Sequence, residues 1–113
     1  NSMAAIANLR IDQGASFSSD VTVTNSAGTV VDLTGYTTEA KMAKSYGASS
    51  SVTITSALAS DPTTGVVELT LTDTQTAALD APARYVYDVY ITQTSTSTVT
   101  RVIEGVITVN PKV

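Results

Sequence analysis

Apolar and polar side chains alternate with a period of two along most of the chain. The segment FSSDVTVT places Phe17, Val21 and Val23 on one face and mostly polar side chains on the other. The segments VVELTLT and ARYVYDVYITQ alternate in the same way. Alternation with this period is typical of a β-strand that buries one face. The pattern therefore predicts a protein built mainly of short strands.

Turn signals such as NSAG, SYGASS and SDPTTG separate the predicted strands, and only TDTQTAALD has a helical pattern. Asp73 or Thr72 can cap this helix, and Gln75 would complete a capping box if Thr72 is the cap. Pro82 prevents the helix from continuing. Many short strands with regular turns and no long helix indicate an antiparallel sandwich or barrel. We expect seven to eight strands and one short helical turn before the penultimate strand.

The segment LTDTQTAALDAPARYVY favours the immunoglobulin-like form of a sandwich. Such domains often place a short helical turn before the penultimate strand, followed by a Tyr whose hydroxyl bonds back to that corner. Leu79 would then fill the core beneath the turn, and Tyr85 would be the corner residue. Tyr87 occupies the position at which antibody domains carry their second Cys. Alternatively, both tyrosines are ordinary half-buried strand residues.

The segment VDLTGYT is the part of the chain that most resembles a polar site, because Asp32 and Thr34 lie close together. A turn between two strands accounts for each residue more simply. Leu33 would insert into the core, Gly35 would supply a free backbone φ angle, and Tyr36 would restart a strand. We therefore interpret this segment as structural.

The composition excludes much of the usual catalytic chemistry. The chain has 113 residues, with no Cys, His or Trp, and a formal net charge of -4. Without His or Cys it lacks the commonest general base, metal ligand and thiol nucleophile. Its acids are scattered singly, which argues against a calcium loop. We expect no enzyme activity, no cofactor and no metal. The negative charge argues against binding to nucleic acids or to anionic membranes.

The length fits one domain, predicted to span residues 3–113. Asn1 and Ser2 precede the first Met and resemble a cloning remnant. The first ten residues lack the cationic and apolar regions of a signal peptide.

A candidate interaction surface lies on the last two predicted strands. Tyr90 and Val86 fall on the face opposite Tyr85 and Tyr87, and Val102 and Val106 share that outward parity. An apolar outer patch often marks a partner surface, although scattered exposed valines are also normal. Gly105 in the last strand suggests a β-bulge.

Four stretches resemble the N-terminal immunoglobulin-like domain of phage baseplate upper proteins and related small phage structural proteins. They are IDQGASF at Ile11–Phe17, GTVVDLTGYT at Gly28–Thr37, DPTTGVVELTLT at Asp61–Thr72 and ARYVYD at Ala83–Asp88. The resemblance implies a non-enzymatic virion part of the tail, baseplate or neck, or one associated with the capsid. It would be made in the host cytoplasm and bind other virion proteins or further copies of itself.

A carbohydrate-binding or adhesion module of the same fold is the alternative function. Sugar sites usually present exposed aromatic platforms and often bind Ca²⁺, so the lack of Trp and the dispersed acids favour the assembly role. A glycan therefore remains the less favoured partner.

Overall fold

The structure, a computed structural model, describes residues 5–113 and shows an all-β protein. The predicted cloning remnant, Asn1 and Ser2, lies outside the described residues. The eight strands are β1 (Ala5–Ile6), β2 (Leu9–Asp12), β3 (Phe17–Thr22), β4 (Tyr36–Ala43), β5 (Val52–Leu58), β6 (Val66–Leu71), β7 (Ala83–Gln93) and β8 (Thr98–Asn110). A 3-10 turn at Pro62–Thr64 and a short helix, α1 (Asp73–Ala77), complete the fold.

The strands form one curled, mixed sheet in the order β1-β8-β7-β4-β5-β6-β3, and β2 also pairs with β8. The sequence predicts an antiparallel arrangement, but both N-terminal strands run parallel to β8, and only the other pairs are antiparallel. The sheet changes partners within β5, whose residues Val52–Ile54 pair with β4 and whose residues Thr55–Leu58 pair with β6. This change allows the sheet to curl around its apolar face.

The concave face of the sheet encloses one continuous core. Phe17, Val21 and Val23 are buried, as the alternation in FSSDVTVT predicts. Tyr87, Leu33 and many of the aliphatic strand residues belong to the same cluster of contacts. Burial of alternate side chains on one face explains why a period of two dominates the sequence.

Helix α1 begins with the predicted capping box. The Thr72 hydroxyl accepts a hydrogen bond from the Gln75 backbone N–H at 3.1 Å, and the Gln75 side chain accepts one from the Thr72 N–H at 2.8 Å. Two N–H groups that the helix cannot satisfy are thus satisfied locally. No helix in residues 5–113 has the length and apolar character needed to span a bilayer.

Thr76 in α1 is fully buried and fastens the helix to the turn between β2 and β3. Its hydroxyl donates to the Ala15 carbonyl at 2.8 Å and accepts from the Gly14 N–H at 3.0 Å. Gln13 adds a bond from its side-chain amide to the Leu79 carbonyl at 3.0 Å. These long-range bonds fix the turn, and the local sequence pattern gave no signal of them.

Candidate interaction face

The convex face of β4, β7 and β8 carries aligned rows of side chains. One row contains Glu39, Tyr90 and Arg101, and the next contains Lys41, Asp88 and Glu104. A third row contains Ala43, Val86 and Val106. The face therefore has a charged centre, with the tyrosine row on one side and the valine row on the other.

Arg101 lies at the centre of what we call the Arg101 cluster, which consists of Arg101 with Tyr46, Asp88, Tyr90 and Glu104. Its Nε lies 3.4 Å from the Tyr90 hydroxyl and 3.7 Å from an Asp88 carboxylate oxygen. Its Nη1 lies 3.5 Å from Glu104 Oε1. The guanidinium carbon is 5.6 Å from the ring centre of Tyr46 and 5.8 Å from that of Tyr90. Both distances fit cation–π contacts.

Burial shifts the pKa of two members of the cluster. It raises the pKa of the Asp88 carboxyl, and the nearby Arg101 opposes this rise. Burial, followed by the neighbouring Glu104 carboxylate, raises the pKa of the Tyr46 phenol. The loop that carries Tyr46 covers a shallow cleft of about 180 Å³ beside Val86 and Asp88. The position of Tyr46 could not be inferred from alternation, because the residue lies outside the strands.

The structure corrects the predicted position of Val102, which is buried at 8% exposure and belongs to the core. The register between β7 and β8 shifts beside this residue: Val89 pairs with Ile103, whereas Tyr90 pairs with Arg101. Val102 is thus the extra residue of a bulge, and its side chain turns inward. Val86, Tyr90 and Val106 remain half-buried on the convex face.

The bulge was expected at Gly105, but that glycine pairs in register with Tyr87. A Cβ on Gly105 would overlap the Ala7 carbonyl oxygen and lie 2.8 Å from the Ala7 carbonyl carbon. The Tyr87 hydroxyl donates to the same carbonyl oxygen at 2.6 Å. Asn8 completes the junction between β1 and β2, since its side-chain oxygen accepts from the Val106 N–H at 3.0 Å.

The segment VDLTGYT forms a turn. Asp32 Oδ1 accepts bonds from the Thr34 N–H at 3.0 Å and the Thr34 hydroxyl at 2.6 Å, and these bonds lower the pKa of Asp32. Leu33 is fully buried, and its N–H donates to the Pro62 carbonyl at 2.9 Å. Gly35 has a φ of 82°, which favours glycine, and Tyr36 begins β4 with a half-buried ring.

Tyr85 bonds back to the turn that precedes β7, because its hydroxyl accepts from the Asp80 N–H at 2.9 Å. Leu79 is buried beneath this turn. Lys44 lies on the outer side of this turn. Its Nζ is 2.8 Å from an Asp80 carboxylate oxygen and 5.3 Å from the centre of the Tyr85 ring. These contacts have the geometry that the sequence predicts for a corner tyrosine.

The convex face of β3 and β6 places two acids directly opposite each other, Asp20 and Glu68. Both are exposed, and neither forms a salt bridge within residues 5–113. The cross-strand partner of Glu68 is therefore an acid and not a cation. Glu39 does lie near Lys41, with 4.0 Å between Oε2 and Nζ.

We expect Glu68→Gln to raise the free energy of unfolding by about 0.5 kcal/mol at low salt, because opposed like charges destabilise a strand pair. Urea unfolding at low and high salt measures the effect, which screening should reduce. Glu39→Gln is the matched control, since Glu39 faces a cation and should give no gain. An equal gain in both variants would exclude repulsion between Asp20 and Glu68 as the cause.

Within residues 5–113, no three His, Cys, Asp or Glu side chains converge as a metal-binding group. Every buried side-chain nitrogen or oxygen in this part of the chain has a hydrogen-bond partner. Comparison of the sequence with protein-family models and with curated proteins finds no match. The contacts above are therefore the basis for the function proposed below.

Proposed function

We propose that the protein is an immunoglobulin-like β-sandwich that acts as a non-enzymatic virion structural protein through protein–protein contacts. The strand order supports two packed layers, since β5 passes from the side of β4 to the side of β6. The backward hydrogen bond of Tyr85 also supports this fold. The resemblance to phage structural proteins supplies the virion role.

Three polar side chains that could carry chemistry are engaged in structural contacts. The Tyr87 hydroxyl is bonded to Ala7, that of Thr76 to Ala15, and Asp32 caps its own turn. In each of these contacts the side chain bonds to a backbone group and so stabilises the fold. This engagement supports a structural role more strongly than a catalytic one.

The main observation in support of the assembly role is the Arg101 cluster together with the Val86–Val106 pair. Tyrosine and arginine are enriched where proteins bind one another, because both combine apolar area with hydrogen-bonding groups. Here Tyr90 and Arg101 occupy the convex face of β7 and β8, where their contacts with each other and with Asp88 hold their positions before a partner binds. Such a preorganised face loses little side-chain freedom on association.

Substitution on this face tests the role. We expect Tyr90→Ala and Val86→Asp each to weaken association with a virion neighbour or with other copies at least about tenfold, as for a central interface residue. Light scattering on a sizing column and capture of virion proteins from a phage lysate measure association. Val30→Asp is the control, because Val30 is exposed and lies outside β4, β7 and β8.

Unchanged association in both variants would exclude this face as the contact surface. A glycan array separates the assembly role from the adhesion alternative, because saccharide binding that Tyr46→Ala abolishes would favour an adhesion module. Circular dichroism of each variant confirms that the sheet is intact.

A further inference from the structure

The curled sheet has two open edges within residues 5–113. At one end β3 pairs only with β6, and at the other end β1 and β2 pair only with β8. An edge strand presents unpaired N–H and C=O groups that can pair with another chain. Neither β2 nor β3 contains a proline or a lysine, which often protect such edges.

The two edges lie on the same side of the molecule. The turn between β2 and β3 is closed by a hydrogen bond from the Ala15 N–H to the Asp12 carbonyl at 3.1 Å. Before the turn, β2 pairs with β8, and after it, β3 pairs with β6. The strands diverge around a polar cleft of about 250 Å³ that both of them line. The Thr76 hydroxyl forms hydrogen bonds with Gly14 and Ala15 in this turn, so the two edges are fixed in this arrangement.

The charges on the two edges are complementary. Asp20 on β3 is exposed beside Glu68, whereas Arg10 on β2 is exposed, and neither Arg10 nor Asp20 forms a salt bridge among the described residues. Both side chains lie on the convex face of the sheet. A strand that carries Arg10 and pairs with β3 would place a cation beside two opposed acids, which would relieve their repulsion.

We propose that two copies of this protein form a symmetric dimer, in which β3 of each copy pairs with β2 of the other and Arg10 of one copy lies opposite Asp20 of its partner. Because both edges face the same side, one two-fold axis generates both strand pairs. Backbone hydrogen bonds supply the pairing, and the two charge pairs set its register. This proposal rests on the proposed assembly role and adds a contact surface that is separate from the Arg101 cluster.

Charge reversal tests the dimer. Sedimentation velocity from about 1 μM to about 1 mM covers the affinities of weak contacts between proteins. We expect the wild-type protein to dimerise and the dimer to weaken as salt rises. Asp20→Arg and Arg10→Asp should each weaken dimerisation at least about tenfold, because each opposes like charges across both strand pairs.

Two further variants separate the charge pair from other effects. The double variant Arg10→Asp with Asp20→Arg keeps the net charge and exchanges the two signs, so it should restore the dimer. Asp73→Arg changes the net charge as much as Asp20→Arg does, but it lies in α1 and should leave the dimer intact. Hydrogen exchange should show slower exchange in β2 and β3 of the wild-type protein at high concentration.

Three results would overturn the edge dimer. They are a wild-type protein that stays monomeric over the whole range, a dimer that both single reversals leave unchanged, and a double variant that stays monomeric. A dimer that is insensitive to Arg10 and Asp20 but sensitive to Tyr90→Ala would reject the edges and support the proposed function. A monomer that still captures virion proteins through Tyr90 would also reject the edge dimer and support the proposed function.

Discussion

Gly105→Ala is expected to lower the free energy of unfolding by about 3 kcal/mol, at the upper end of the usual effect of overpacking. The added methyl group would overlap the Ala7 carbonyl and would also lie 3.1 Å from the Tyr87 ring. Relief requires β1 to move away from β8, with loss of the Tyr87–Ala7 and Asn8–Val106 hydrogen bonds. Urea unfolding measures the loss.

Gly28→Ala separates this overlap from the general effect of removing a glycine. Gly28 has a φ of 84° and open space around it, so its replacement should cost only about 1 kcal/mol through backbone strain. Hydrogen exchange should show faster exchange at residues 5–8 in Gly105→Ala and no change there in Gly28→Ala. Equal losses in the two variants would show that the approach of Ala7 does not matter.

Alkaline pH is expected to destabilise the protein through Tyr87. Burial, followed by the neighbouring Tyr46, raises the pKa of Tyr87 from its ordinary value of about 10 to about 12. The folded protein therefore keeps this proton at a pH at which the unfolded chain has lost it. The stabilisation is complete below pH 10 and falls as pH rises toward 12, by about 2–3 kcal/mol in total.

Tyr87→Phe provides the comparison, because it retains the ring and removes the titrating hydroxyl. At pH 7 it should be about 1–2 kcal/mol less stable than the wild type, since the Ala7 carbonyl loses its bond. Between pH 10 and 12 it should lose less stability than the wild type, so the two curves converge. Urea unfolding of both proteins across this range tests the prediction. Parallel curves would exclude Tyr87 as the titrating group.

Local signals in the sequence predicted local structure well. The capping box at Thr72 and the turn at Asp32 each depend on side chains that bond to backbone groups two or three residues away. Such contacts are encoded in short segments, so they can be recognised without knowledge of the fold. The inward positions of alternate strand residues follow from the same kind of local information.

The features that depend on distant partners could not be predicted in this way. A glycine in a strand is consistent with a bulge or with close approach of another backbone, and only the position of Ala7 shows that Gly105 serves the second purpose. Val102 turns inward because the register between β7 and β8 shifts beside it. Alternation thus places Val86, Tyr90 and Val106 on the convex face correctly. It could not predict the contact between Tyr46 and Arg101.

The parallel alignment of β1 and β2 with β8 has a mechanical consequence. Ala5 lies beside Ile103, and Asp12 lies beside Asn110, so the N-terminal strands and the last strand point the same way. A force that pulls the two ends of the chain apart therefore acts along these strands and slides them past each other. Their hydrogen bonds must then break together rather than one after another, a geometry that resists unfolding under tension.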